Sequence, residues 1–148
     1  MAKPVTFSAS KLYISLGDGA DPEVFTSPCG LTSRGLTFTK DLNDVTVPDC
    51  DDPDAPSWTE RAVRTLSGEA TGAGILAAEA LPTWQDAFTS TDAGNVRVGI
   101  NAPAADNGGY YAGRMHLSSF GVTGDLGDKL QVAVTLVSDG ELVWVPAV

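Results

Sequence analysis

Histidine and cysteine are scarce in this chain: its 148 residues hold one histidine and two cysteines. Ser–His or Cys–His machinery would have to be built around His116, which lies in the strand-like run Arg114-Met115-His116-Leu117-Ser118 and reads as a sheet-face residue. Cys29 and Cys50 lie far from each other and from His116, which is not a zinc spacing. They fit free thiols of a reducing compartment, with a Cys29–Cys50 bridge across a hairpin-like region left open. Positive charge is also short. Nine Lys and Arg stand against 19 Asp and Glu, giving a net charge of −10 and a pI near 4.2. A surface that grips phosphates needs cations, so tight nucleic-acid binding is disfavoured. An acidic wall beside DNA stays compatible, because like charges repel over about 8 Å at physiological salt.

Long apolar runs are missing as well. Nothing approaches the roughly 20 apolar residues of a membrane span, and Met1–Ser8 has a single lysine and no signal-peptide core. The expectation is a protein made and kept in the cytoplasm, with no membrane partner. Asp49-Cys50-Asp51-Asp52-Pro53-Asp54 lacks the glycine and the closing glutamate of an EF-hand loop and reads as a solvated acidic loop. Gly72-Ala73-Gly74 lacks the third glycine of a dinucleotide site and reads as a hinge before a helix. Carboxylate pairs can be drawn almost anywhere from 19 acids, so none is specific. No catalytic residue, cofactor or metal is expected.

What is present is a turn-punctuated, mainly β pattern: 43% apolar residues with 16 glycines and 9 prolines. The length suits a single domain over 1–148 that can bury its own core. Lys11–Leu16 reads as a first strand closed by Gly17-Asp18-Gly19, and Asp21–Gly30, with two prolines, as an edge or loop. Leu36-Thr37-Phe38-Thr39 alternates as a half-buried strand, and Thr59–Ala70 as a long one. Between them, about 41–57, six aspartates interleave with Pro48, Pro53 and Pro56. So charged a segment cannot pack a core and reads as a long loop or arm, a length that is usually functional or disordered. At about 75–90 the apolar period lengthens toward three and four, predicting one helix with Pro82 in or near its first turn. Val96–Ile100, Tyr110–Phe120 and Leu130–Ser138 read as strands, with Asp139-Gly140 turning the last into a hairpin with Glu141–Val145. Trp58, Trp84 and Trp144 are core or interface residues. Displayed on the surface they would instead stack on sugars, the alternative of a β-sandwich carbohydrate-binding module.

This order of elements resembles the major tail tube proteins of long-tailed, siphovirus-type phages and of phage-derived gene transfer agents. The residues carrying the resemblance are Leu117–Lys129 followed by Val132–Trp144, together with Asp41–Pro48 leading to Trp58–Arg61 and Ser67–Gly72. It implies a β-sandwich or barrel of the tail tube type with one flanking α-helix and a long acidic arm loop. Such proteins form hexameric rings stacked into a tube through which DNA passes without specific binding. Function then lives in interfaces rather than catalysis, in a virion tail or gene transfer agent particle. The partners implied are other copies of the chain and further tail proteins such as the tape measure, terminator and distal tail proteins. The arm, with Asp41, Asp44, Val45, Val47, Pro48, Asp49, Asp51, Asp52, Asp54 and Trp58, would be the inter-ring or inter-subunit contact. Alternation in a strand does not say which face would line the lumen; Glu69 and Asp92 are the candidate acids.

Overall fold

The computed structural model describes residues 2–148. Eight strands, all paired antiparallel, form one sheet: β1 (Leu12–Gly17), β2 (Phe25–Thr26), β3 (Leu31–Asp44), β4 (Arg61–Ile75), β5 (Gly94–Ile100), β6 (Gly109–Thr123), β7 (Gln131–Ser138) and β8 (Val143–Pro146). The helix α1 (Leu81–Thr89) lies between β4 and β5 in sequence. The strand order is β2-β1-β5-β6-β7-β4-β3, and β8 pairs with β6 off this path.

The long strand β6 makes this sheet into two layers. Its first half, Gly109–Met115, pairs with β5, and Gly109–Ala112 also pairs with β8. Its second half, Met115–Thr123, pairs with β7, with a register irregularity between Leu117 and Ser119. A strand that changes partners at a bulge bends, and the sheet follows it round. Ile14, Leu16, Val96 and Val98 on one limb thus share a core with Leu31, Ala70, Val132, Val134 and Leu136 on the other. Period-two alternation supplies these residues: Val132, Val134 and Leu136 are buried while Gln131, Ala133 and Val137 are exposed. Arg34 Nη1 donates to the Leu12 carbonyl at 3.3 Å and ties β3 to β1. The helix lies against β6 and buries Trp84 completely.

Four expectations change. Ile75 still belongs to β4, opposite Gln131, so the helical region is shorter than 75–90: a 3₁₀ turn at Ala78–Ala80, then α1 from Leu81. Pro82, which has no N–H to give, sits in the first turn. Gly72-Ala73-Gly74 is a strand between β3 and β7 rather than a hinge; a Cβ on Gly74 would strike the Gly30 carbonyl oxygen, so the glycine admits a close backbone crossing. The segment after Asp139-Gly140 does not fold back on β7, because β6 and β4 already occupy both edges of β7, and β8 pairs with β6 instead. Finally, β3 runs on to Asp44 and β4 begins at Arg61, so Asp41 and Asp44 are strand residues and the loop proper is 45–60. Arg61 opposite Asp44, and Arg64 Nη1 3.9 Å from Asp41 Oδ2, offset the charge that argued against a strand there.

Trp84 fills the space between helix and sheet, so Trp84→Ala should lower the unfolding free energy by about 3–5 kcal/mol. Urea unfolding of the dispersed protein measures this.

Candidate assembly interface

The ladder between β4 and β7 ends at the pair Glu69↔Val137. The Gly68 amide still donates to Ser138 Oγ at 2.9 Å, but from Ser67 down to Arg61 β4 pairs with β3 alone, so Phe38–Asp44 and Arg61–Gly68 form a two-stranded ribbon that leaves the body at Gly68. Such a ribbon is marginal by itself in water. Its register gives it two unlike faces. Phe38↔Gly68, Lys40↔Leu66, Leu42↔Val63 and Asp44↔Arg61 lie on one; Thr39↔Ser67, Asp41↔Thr65 and Asn43↔Ala62 lie on the other. A bulge between Asp41 and Leu42 lets Arg64 drop out of register, which turns Val63 to the same side as Leu66. On that side Leu66 is 71% exposed, Val63 55%, Phe38 51% and Leu42 45%. It continues the face that carries buried Ala70 in the core. Lys40 lies among them, so the side is mainly but not wholly apolar; clusters of exposed apolar residues mark sites of association.

The ribbon is rooted in the body by aromatic contacts. Phe38 meets Tyr111 edge to face at 4.9 Å, and Tyr111 meets Trp144 at 4.9 Å. Beside Phe38 a groove of about 620 Å³ runs between Leu66, Gly68 and Leu142.

At the far end the chain turns at Asp44. The Thr46 hydroxyl and amide both donate to Asp44 Oδ1, at 2.6 and 2.9 Å, and the Glu60 amide donates to Thr46 Oγ1 at 2.8 Å. The hydroxyl first, and then the amide, hold the Asp44 carboxyl below the ordinary aspartate value of 3.8. Val45 N–H donates to the Glu60 carbonyl at 2.8 Å and extends the ladder by one bond. Beyond it lies the tip, with Val47, Pro48, Asp49, Asp51, Asp52 and Asp54 exposed and Trp58 94% exposed. The Asp51 amide donates to Asp49 Oδ1 at 2.9 Å and the Ala55 amide to the Asp52 carbonyl at 3.1 Å, so the tip is a series of local turns.

The ten arm residues named from sequence therefore fall on one projecting element. Asp41 and Asp44 lie on the ribbon, Asp44 forms the hinge, and the other eight lie in the loop beyond. Glu69 stands exposed on the outer face of β4, between Thr37 and Val137, whereas Asp92 lies in the 90–93 loop after α1. They are not brought together. The residues that sequence reasoning missed are Phe38, Leu42, Val63 and Leu66. Cys29 and Cys50 are free and exposed, and His116 Nε2 lies 3.5 Å from Asp139 Oδ2 on the surface. No group of acids, histidine and cysteine among the described residues could hold a metal. Trp84 is sealed in the core, so the three indoles do not share a sugar-stacking platform.

Comparison with known proteins accounts for this shape. The family model for the phage tail tube protein matches residues 6–144. A chain in the virion of a native gene transfer agent particle superposes with TM-score 0.75 at 20% identity, covering 95% of this chain and 99% of that one. A chain from the tail of an empty gene transfer agent particle, refined with C6 symmetry, gives 0.78 at 21%, with the same coverage. The SPP1 tail tube gives 0.62 at 9%, covering 93% of this chain and 78% of that one. No curated protein matches in sequence. Fold and bare ribbon together define a structural subunit. The chain belongs to the phage tail tube protein family and is a tail tube subunit.

Two outcomes are expected. Leu66→Asp should leave the dispersed protein's stability within about 0.5 kcal/mol, since the side chain is already in water, while blocking assembly; urea unfolding and sedimentation read the two effects. Because the Asp44 value is lowered on folding, its contribution to the hinge is complete above the ordinary value of 3.8 and lost as pH falls through the lowered one. Asp44→Ala at neutral pH should mimic that loss, speeding amide exchange at Thr46 several-fold.

Proposed function

We propose that this subunit forms six-membered rings that stack into a tube for the passage of DNA, in a phage tail or gene transfer agent particle, and that the arm joins one copy to the next. The observation carrying this reading is the bare apolar face of the ribbon, a core surface with no core above it. The C6 symmetry of the similar gene transfer agent tail supports the ring number. A sheet edge left open in a monomer invites pairing, and a closed ring uses that tendency to build.

The channel is lined by the outer face of β3, β4, β7 and the second half of β6. Its rows run Thr37, Glu69, Val137, His116; then Gly35, Thr71, Thr135, Ser119; then Ser33, Ala73, Ala133, Gly121. These side chains are mostly small or hydroxylic, with one carboxylate and neither lysine nor arginine, so they offer phosphate nothing to grip. Six chains of net charge −10 bring −60 to each ring, which repels DNA from the wall. Of the two acids named from sequence, Glu69 is on this face and Asp92 lies outside it.

Negative-stain electron microscopy of the concentrated protein, with its mass in solution, tests the reading: tubes or six-membered rings are expected, and a strict monomer even with tail extract would refute it. Deleting Asp44–Pro56 should leave a soluble, folded domain that does not stack. Loss of folding on that deletion would count against an arm that serves only assembly.

A further inference from the structure

On the outer face of the layer formed by β1, β2, β5, β8 and the first half of β6, an arginine is held between two aromatic rings. Arg97 Cζ lies 3.8 Å from the Phe25 ring centre and 4.8 Å from that of Tyr110. Cross-strand neighbours extend this surface: Tyr13 and Tyr110 lie opposite Gly99, and Val145 lies opposite Tyr110, while Ala112 separates Arg97 from half-exposed Val143. The aromatic faces fix the plane of the guanidinium and leave its N–H edge for a planar acceptor. Among the described residues no carboxylate pairs with Arg97, and none of their side-chain hydrogen bonds uses it. Glu23, on the neighbouring loop, accepts from Asn95 Nδ2 through Oε2 at 2.9 Å; its Oε1 is buried without a hydrogen-bond partner, and it makes no ion pair with Arg97. A half-buried guanidinium clamped in this way and left unpaired is a receptor awaiting a carboxylate.

We propose that its occupant is the arm tip of a second copy, through the carboxylates of Asp49–Asp54, an inference that rests on the tube-subunit function proposed above. The charges are complementary. No lysine or arginine occurs from Asp41 to Glu60, and none of the tip aspartates pairs with a cation of its own chain among the described residues. The surroundings match as well, because the tip carries exposed Val47 and Trp58 beside its acids, and Arg97 lies among Tyr13, Phe25 and Tyr110 with Val143 one strand beyond Ala112. A bidentate carboxylate at the clamp fixes the register of the arm on its neighbour, while the apolar residues exclude water from the contact.

The arm supplies its own probe, since Cys50 is a free exposed thiol between Asp49 and Asp51. In a chain carrying Cys29→Ser and Ala112→Cys, mild oxidation of assembled tubes should join Cys50 to the thiol introduced at position 112 of another copy, giving covalent multimers on a non-reducing gel. The dispersed protein should give none. In parallel, Arg97→Glu should raise the concentration needed for tube formation at least tenfold with an unchanged circular dichroism spectrum, and adding Asp51→Arg and Asp52→Arg should restore assembly. Tubes of Arg97→Glu that form like the wild type, with no cross-link, overturn the inference and leave the tube function standing. Loss of tubes with neither rescue nor cross-link also overturns it, by giving the clamp to another acidic surface. Failure of the unmodified chain to form tubes overturns the function on which it rests.

Discussion

A β-strand keeps each face turned one way along its whole length, because its side chains alternate with a period of two. In this protein that constraint is carried past the end of the core. β4 spans Arg61–Ile75, but β7 accompanies it only from Glu69 to Ile75. Above that point the inward face holds Ala70 with no exposure; below it the same face, with β3 still alongside, turns Leu66, Val63, Phe38 and Leu42 to water. The bulge at Arg64 keeps the face apolar where simple alternation would have broken it. The subunit is thus a two-layer body with a strip of core surface left outside.

An uncovered surface of this kind is both a hazard and a means of assembly. Three features limit it to a specific use. The ribbon carries Asp41, Lys40, Arg61 and Arg64, charges that discourage indiscriminate sheet pairing. Its root is held by the Phe38–Tyr111–Trp144 stack, so it leaves the body in a set direction. The charged residues of its tip are all acidic, which repels other tips, and in the assembly we propose they meet the cation clamped between Phe25 and Tyr110. In that proposed contact apolar burial would supply the affinity and charge the register.

Most of the strands were legible because their pattern is local. Val132, Val134 and Leu136 announce β7, Leu12–Leu16 announces β1, and Pro82 marks where the helix starts. Errors arose wherever the answer depended on a distant partner. Asp41 and Asp44 looked like loop residues because the cations that offset them, Arg64 near Asp41 and Arg61 opposite Asp44, come from another strand. Asp139-Gly140 looked like a hairpin turn because nothing local reveals that both edges of β7 are taken. The apolar side of the ribbon was hidden for a related reason. Val63 and Leu66 are three apart, which in a regular strand puts them on opposite faces, and only the bulge turns them to one. That 45–60 would be a loop was legible from its aspartates and prolines; the exposed apolar side of the ribbon beside it was not.

Hydrogen exchange of residues 38–44 and 61–68, compared between the dispersed subunit and the assembled tube, tests most directly whether assembly covers the ribbon. We expect these amides to exchange quickly in the free subunit, where two strands stand alone, and to slow by orders of magnitude in the tube, while amides in the core of β5 and β7 change little. Equal exchange of the ribbon in both states would mean that no neighbour covers it and would contradict the account.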